Sequence, residues 1–412
     1  MRRNADFMIL WVGGAVSELG SSMSVLAFPL VGFAVTHSLA QAGLATAAMF
    51  AGTSLARLPA GALVDRWSRR RVLVAANIAA AIVFGALAAA VAADLANVGV
   101  LIAAGVLGGA AEAFVSPAAS AAIRRVVAHG DLPSAYARLQ ARQHAAALVG
   151  PPLGGALFAA GHGLPVLVDA VSYAAFAAGS TRLGSTLDEV APASGRRLRA
   201  DVAEGLRFLW HRRLARAMMA WGALINFAMA FLFVAITLRL LRAGVHPAAI
   251  GAVDAIAAGA GLLGAVLASR LVRTLPTGRT TILTGTVLAL IVAPMAATTN
   301  VVAIGALLAL GTLLLPANNA GISAYLAFVT PERLQGRLNA AAGFVAEGLV
   351  PIAPAAAGVA LASLGGGATT LVAAGLLGFS LVPLLATGEI WRLPAPSRWA
   401  ASDGSGRCGD RG

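Results

Sequence analysis

The sequence predicts an all-α integral membrane protein whose twelve transmembrane helices form two six-helix bundles. Three observations lead to this fold class. Of the 412 residues, 59% are hydrophobic and 11% are charged, whereas soluble domains carry about 25% charged residues. The apolar residues are gathered in runs of about 20, the length that a helix needs to cross a bilayer. The arginines lie mainly between these runs, as they do in the cytoplasmic loops of membrane proteins.

Twelve apolar runs are long enough to be spans, and a polar interval divides them into two sets of six. The first six spans are predicted at 7–36, 40–64, 72–93, 98–123, 134–160 and 165–181. The second six are predicted at 217–238, 248–269, 280–297, 301–328, 338–362 and 368–387. The first run is too long for the core of a signal peptide, so we expect it to be a retained helix.

The spans and the polar segments together predict four parts of the chain. An N-terminal six-helix bundle covers 1–181, and a C-terminal six-helix bundle covers 217–388. The linker between them, 182–216, has apolar residues at helical spacing, which predicts an amphipathic helix on the membrane surface. Residues 389–412 are predicted to form a disordered tail.

The position of the arginines predicts the orientation and limits the classes of function. If both termini and the linker are cytoplasmic, the external loops contain only Arg239 and Arg242, as the positive-inside rule requires. The net charge of +13 then reflects orientation in the cell membrane and not a nucleic-acid partner. Cys408 is the only cysteine, and no metal-ligand spacing or phosphate-binding Gly-rich loop occurs. We therefore expect no metal, no cofactor and no enzymatic activity.

The connection between spans 2 and 3 contains an acidic residue followed by a cluster of arginines. The pattern residues are Gly61, Asp65, Arg66, Arg69 and Arg70. This run resembles the loop signature of the major facilitator superfamily, with Ser68 in place of the usual glycine. The resemblance implies a secondary transporter in which Asp65 helps to hold the cytoplasmic side closed. A purely topogenic basic loop would explain the arginines but not the acid.

Four shorter segments resemble one branch of that superfamily, the drug–proton antiporters that include enterobactin-exporter-like and macrolide-efflux-like proteins. These segments are 131–133, 167–173, 204–210 and 331–337. The resemblance implies a monomer in the lipid bilayer that exports hydrophobic or amphipathic small molecules in exchange for protons. Export of a siderophore or another metabolite remains an alternative. A non-transporting scaffold or sensor on the same fold is the alternative from another class.

Span 5 contains a run of glycines and prolines that is similar to the core of the antiporter signature. Its residues are Gly150, Pro151, Pro152, Leu153, Gly154 and Gly155. Small residues four apart allow two helices to approach closely, so simple tight packing is the alternative interpretation. We expect the partner to be a face of span 8 that contains Gly259, Gly261 and Gly264.

Five acidic residues lie within the hydrophobic spans. A charged side chain at the bilayer centre costs about 2.5–3.5 kcal/mol on insertion scales, and burial disfavours the charged form of a carboxyl group. Glu18, Glu112 and Glu347 are therefore candidates for proton coupling, with a structural hydrogen-bonding role as the alternative. Asp169 and Asp254 lie nearer the outer ends of their spans, where a helix-end role or contact with the headgroups is expected.

Other polar and aromatic residues within the spans are candidates for the substrate cavity. Arg57, Arg138 and Arg142 either neutralise the acids or bind an anionic substrate. The predicted cavity residues are Asn226, Asn318, Asn319, Phe114 and Phe227. Hydrogen bonding between helices is the alternative for the asparagines, and packing or lipid contact is the alternative for the phenylalanines.

Overall fold

The computed structural model describes residues 4–184, 187, 204, 207, 210–331, 334–396 and 399. All regular secondary structure in these residues is helical. Ten helical segments of the described chain are long and apolar enough to cross a membrane. Spans 5 and 6 complete the predicted set: the fifth helix is long but carries Arg138 and Arg142, and the sixth has 17 residues.

The helices of the first half begin at polar caps between the apolar runs. They are α1 (Ala5–Thr36), α2 (Leu39–Arg66), α3 (Arg69–Ala92), α4 (Val98–Val126), α5 (Leu132–Ala160) and α6 (Leu164–Ser180). Helices α1 to α4 each follow a residue whose side chain accepts a hydrogen bond from a first-turn amide; these residues are Asn4, Ser38, Ser68 and Asn97. Such caps satisfy backbone donors that the helix itself leaves free.

In the second half, prolines divide the last three predicted spans. The helices are α7 (Arg213–Arg242), α8 (Pro247–Thr274), α9 (Thr277–Met295), α10 (Val301–Thr312), α11 (Leu315–Val329), α12 (Gln335–Gly348), α13 (Ala353–Leu364), α14 (Gly366–Ser380) and α15 (Val382–Leu385). Pro316, Pro354 and Pro383 each lie in the first two positions of α11, α13 and α15. Proline has no amide hydrogen and is tolerated in the first turn of a helix. The helical hydrogen bonding of the backbone therefore stops before each of these prolines, and a new helix begins there.

One compact unit of the structure comprises Met1–Gly195, Ala230–Ala255 and Val350–Thr369. At one end of it, the Asn4 side chain donates to the carbonyl oxygen of Val126 at 2.6 Å. The Asp6 carboxylate accepts a hydrogen bond from the Gly184 amide at 3.2 Å. The start of α1 and the ends of α4 and α6 therefore lie on the same side of the unit, as the predicted topology requires.

Glycines bring two helices of the second half, α8 and α13, close to helices of this unit. A methyl group on Gly43 of α2 would lie 3.0 Å from the Cα atom of Gly358 in α13. Helices α5 and α8 approach as closely, because a methyl group on Gly155 would collide with the carbonyl oxygen of Pro247. Parts of α7, α8 and α13 thus belong to this unit, and the division into bundles at 1–181 and 217–388 stays a prediction.

The second compact unit comprises Arg196–Met229, Ile256–Leu349 and Thr370–Gly412. The first part of the predicted disordered tail is ordered within it. Ile390 is fully buried, and the Gly278 amide donates to the carbonyl oxygen of Leu393 at 3.4 Å. Residues 389–396 therefore pack against α9, because their apolar side chains are removed from water. The rest of the tail and most of the linker lie outside the described residues.

Candidate functional site

A small polar pocket lies inside the first unit, among α1, α4, α5 and α6. Its volume is about 130 Å³. The polar residues that line it are Ser17, Glu18, Ser21, Glu112, Ser116, Ser120, Arg142, Gln143 and Tyr173. Two of the three acids predicted to couple protons thus face one pocket, together with an arginine that the sequence singled out.

Glu18 and Arg142 form an ion pair across this pocket. The Arg142 Nε atom donates to Glu18 Oε2 at 2.6 Å. The Arg142 side chain is 11% exposed and the Glu18 side chain is 26% exposed. The Arg142 Nη1 atom also donates to the carbonyl oxygens of Leu10 and Trp11, each at 3.1 Å. The absence of a side chain on Gly14 leaves room for the guanidinium group. Of the two interpretations of Arg142, the structure shows that it neutralises an acid.

Glu112 lies on α4 beside a hydrogen-bonded pair of hydroxyl groups. Its side chain lines the same pocket as Ser21 on α1 and Tyr173 on α6. Ser21 Oγ is 2.8 Å from the hydroxyl oxygen of Tyr173. Because a hydroxyl group can donate or accept a hydrogen bond, the pair is suited to interact with a carboxyl group in either protonation state.

Asp169 lies in the first half of α6, nearer its start as the sequence predicted, but its side chain faces the interior and not the headgroups. Its side chain is fully buried, and its Oδ2 atom accepts a hydrogen bond from Ser24 Oγ at 2.5 Å. A methyl group on Gly20 would lie 2.5 Å from Asp169 Oδ1, so this glycine makes space for the carboxyl group beside α1. One feature of the sequence could have indicated this contact. Small and polar residues line one face of α1, and buried hydroxyl groups need a polar partner; these residues are Ser17, Gly20, Ser21 and Ser24.

The departure from the loop signature at Ser68 has a structural explanation. Ser68 is the N-cap of α3, and its Oγ atom accepts a hydrogen bond from the Arg71 amide at 3.2 Å. Its φ angle is −57°, which does not require glycine. The neighbouring Arg70 donates to the carbonyl oxygen of Leu183 at 3.3 Å, so the turn is tied to the end of α6.

The other residues of the loop signature lie in different surroundings. Arg69 is buried and Arg66 is exposed. Gly61 has open space around it. The Asp65 side chain is not among those that the structure describes, so its role in holding the cytoplasmic side closed stays a prediction.

The glycines of span 5 are used for close packing, and Gly155 faces span 8 as described above, but Gly150 and Gly154 have a different partner from the one predicted. A methyl group on Gly154 would lie 2.8 Å from the carbonyl oxygen of Met23, and Gly150 also faces α1. The predicted partner Gly264 instead meets the backbone of Leu313 in the turn after α10. The expected pairing of Gly150 and Gly154 with the glycines of span 8 is therefore wrong, because α5 presents them to α1.

Two asparagines predicted for the substrate cavity form hydrogen bonds. Asn226 donates to the carbonyl oxygen of Ala346 at 3.1 Å, which is the helix-to-helix contact given above as the alternative. Asn318 is buried and donates to the exposed Asn319 at 3.3 Å. The Asn318 Oδ1 atom has no hydrogen-bond partner among the described residues, so it retains an acceptor for a ligand or water.

The remaining candidates lie away from the polar pocket. Phe114 lines a separate groove between α3 and α4. Phe227 is half-buried on α7, and Glu347 lies near the end of α12. Their roles in substrate binding and proton coupling stay predictions. Within the described part of the chain, no group of three or more His, Cys, Asp or Glu side chains is placed to hold a metal ion.

Comparison with known families and structures gives a consistent picture. Residues 10–354 match the family model described as Major Facilitator Superfamily. Comparison with curated proteins gives no match.

Three solved structures of similar fold are transporters or their homologues. The nucleoside transporter NupG has a TM-score of 0.73 and 11% identity over 93% of this chain and 98% of its own. A bacterial homologue of the human lysosomal transporter Spinster has a TM-score of 0.72 and 16% identity over 96% and 99%. A bacterial homologue of the iron transporter ferroportin has a TM-score of 0.65 and 19% identity over 91% and 98%. At these identities, the likeness shows the shared fold alone.

Proposed function

This chain belongs to the major facilitator superfamily, and from that premise we propose that it exports hydrophobic or amphipathic small molecules, such as drugs or natural products, in exchange for protons. The observation that carries the proposal is the polar pocket, in which Glu18 is paired with Arg142 and Glu112 lies beside Ser21 and Tyr173. Ionisable residues within membrane spans are costly, and they commonly mark ion or substrate pathways.

The size of the pocket supports a role in proton coupling and not in substrate binding. Its volume is about 130 Å³, whereas sites for drug-sized ligands usually measure about 300–1,000 Å³. It has room for a few water molecules, which can carry protons between neighbouring polar groups. We therefore assign coupling to the pocket and leave the substrate cavity to other residues.

The two acids of the pocket suit different parts of a coupling cycle. Protonation of Glu18 would neutralise it and release the Arg142 guanidinium from its partner, which changes the contact between α1 and α5. Glu112 would exchange its proton through Ser21 and Tyr173, whose hydroxyl groups are 2.8 Å apart. In the proposed cycle, each protonation state of the pocket favours one of two conformations of the transporter. Because the two conformations differ in their affinity for protons, binding of a proton shifts their populations.

The direction of transport rests on the resemblance of span 5 to the antiporter signature. Its Gly150, Pro151, Gly154 and Gly155 match the core of that motif, and the branch that carries it exports its substrates. Export of a siderophore or another metabolite is the alternative substrate class within the same mechanism. A scaffold or sensor without transport activity is the alternative from another class.

The proposal is tested with the purified protein in proteoliposomes that have a controlled pH gradient. A panel of amphipathic dyes and antibiotics is screened for movement against a concentration gradient that depends on the pH gradient. We expect Glu112→Gln to abolish concentrative transport and to leave energy-independent exchange partly intact. The amide keeps the shape of the carboxyl group but cannot bind or release a proton.

Glu389→Gln is the matched control, because Glu389 is exposed and follows the last helix. It should transport like the unmodified protein. Full gradient-driven transport by both Glu112→Gln and Glu18→Gln would rule out coupling at this pocket. Absence of transport for the whole panel, together with a protein that binds these compounds, would favour the scaffold or sensor.

A further inference from the structure

A groove separate from the polar pocket runs between α3 and α4 and ends at the turn between α2 and α3. Its volume is about 770 Å³, and it shares no lining residue with the polar pocket. The lining residues fall into two groups. Arg66, Trp67 and Arg71 lie at the turn, and beyond them the walls are apolar.

The apolar part of the groove is shaped by alanines on facing helices. Ala75 and Ala79 follow Arg71 at helical spacing on α3 and are exposed, and Leu107, Ala111 and Phe114 face them from α4. At a rise of 1.5 Å per residue, the eight steps from Arg71 to Ala79 cover about 12 Å along the helix. The groove therefore has a positive end followed by an apolar channel. This order matches that of an amphipathic ligand, in which a polar headgroup is followed by a hydrocarbon chain.

We propose that this groove binds an anionic phospholipid of the leaflet next to the α2–α3 turn. The phosphate would lie between the exposed side chains of Arg66 and Arg71, and one acyl chain would lie along Ala75 and Ala79. Trp67, which is 53% exposed, suits the headgroup level, where tryptophan is enriched in membrane proteins. In the predicted orientation this is the cytoplasmic leaflet, which carries the anionic lipids that attract basic segments.

The charge of the groove favours a lipid over a transported substrate as its occupant. Arg66 and Arg71 select a negative headgroup, whereas the proposed substrate class is defined by its apolar surface. The groove also contains none of the acids assigned to proton coupling. The bound lipid would contact the same turn that carries the loop signature, so its occupancy is able to affect the ends of α2 and α3.

The experiment measures lipid binding by the full chain in detergent micelles. Phosphatidylglycerol and phosphatidylcholine are titrated separately, and bound lipid is counted by native mass spectrometry. We expect saturable binding of phosphatidylglycerol and only weak binding of phosphatidylcholine. Loss of one arginine beside an anionic headgroup should lower the affinity about fivefold, so Arg71→Gln tests the charge. Ala79→Trp fills the groove and should abolish the saturable component.

Each variant has a matched control on the same helices. Arg124→Gln removes an exposed arginine from the end of α4, and Ala86→Trp adds the same bulk to an exposed site on α3 outside the groove. Both should bind phosphatidylglycerol like the unmodified protein. Quenching of Trp67 fluorescence by brominated phosphatidylglycerol, identified by its loss in Trp67→Phe, locates the lipid independently of Ala79→Trp.

Three results would overturn the proposal. Equal binding of the two lipids would show only a non-selective lipid annulus. An equal loss of binding in Arg71→Gln and Arg124→Gln would show a general effect of charge. Quenching of Trp67 by a cationic amphipathic dye that phosphatidylglycerol does not displace would identify the groove as a path for substrate.

Discussion

Glu18 and Arg142 show how a charge is accommodated inside the first unit. The carboxylate pairs with the guanidinium at 2.6 Å, and the guanidinium is further held by two backbone carbonyl oxygens of α1. If one charged partner is removed, the other charge stays largely inside the protein without an opposite charge beside it. This lowers the stability of the fold more than removal of both charges does. The pair therefore links α1 to α5 in a way that depends on both residues.

This linkage predicts a non-additive effect on thermal stability. Glu18→Gln and Arg142→Gln should each destabilise the protein by about 1–3 kcal/mol, the cost of leaving a buried polar group unsatisfied. The double variant should be more stable than the sum of the single effects implies. The stabilities of the unmodified protein, the two single variants and the double variant are measured by thermal unfolding in detergent, followed by tryptophan fluorescence. Additive changes would mean that the ion pair contributes nothing to folding.

The acids and a set of three possible arginine partners could be predicted from the sequence, but which arginine pairs with which acid could not. An acidic residue in an apolar run is visible at once, as Glu18 and Glu112 were. Arg142 is 124 residues from Glu18, and no periodicity in either helix indicates that the two meet. The burial of Asp169 was not predicted for the same reason, because the space that Gly20 leaves for it lies on another helix.

At the scale of helices, glycine positions decide which pairs approach closely. Gly154 faces the backbone of α1, whereas Gly261 on α8 has no other group within 4 Å of an added methyl. The two sites share residue type and a helical backbone but differ in what surrounds them. Packing of this kind drives association of helices in membranes, where hydrophobicity does not distinguish a helix from the lipid.

The comparison of these two glycines gives a controlled prediction. Gly154→Ala should lower the thermal midpoint, because the methyl group would lie 2.8 Å from the Met23 carbonyl oxygen and overpacking costs about 1–3 kcal/mol. Gly261→Ala should leave the midpoint unchanged or raise it, since alanine favours the helix by about 1 kcal/mol. Thermal unfolding at matched detergent concentration measures both. If Gly154→Ala is as stable as Gly261→Ala, the close contact of α1 and α5 is not tight.

Helix boundaries were predicted well where caps and apolar runs coincide and less well at prolines. Span 2 was predicted at 40–64, and α2 covers Leu39–Arg66. Spans 10, 11 and 12 were predicted as continuous, yet each is divided near Pro316, Pro354 or Pro383. Pro29 and Pro117 do not interrupt α1 and α4, so the residue type alone does not determine where a membrane helix breaks.

For the whole molecule, composition and hydropathy were sufficient to predict the fold class. The all-helical structure of the described residues and the chain's membership of the superfamily confirm that prediction. The grouping of α13 with the first unit was not predictable, because it depends on contacts such as that of Gly43 with Gly358. Hydropathy measures how each span interacts with lipid and contains no information on which spans are neighbours.

The orientation of the whole molecule stays a prediction, and the single cysteine makes it testable. Cys408 lies in the predicted cytoplasmic tail, so a membrane-impermeant maleimide should not label it in intact cells. In a Cys408→Ser background, Leu95→Cys places a thiol in the turn between α3 and α4, where Leu95 is 71% exposed. This site is predicted to be external and should be labelled. Labelling of Cys408 in intact cells would reverse the orientation.

The ion pair of Glu18 with Arg142 also has a consequence for biosynthesis. Because the two residues are 124 positions apart, a ribosome that adds about 5–20 residues per second completes the second roughly 6–25 s after the first. During that interval α1 contains an acid without its partner, so we expect the nascent helix to stay near water or beside an insertion factor. A chain truncated after α4 never acquires the partner, and we expect cellular quality control to degrade it faster than a chain that extends through α6.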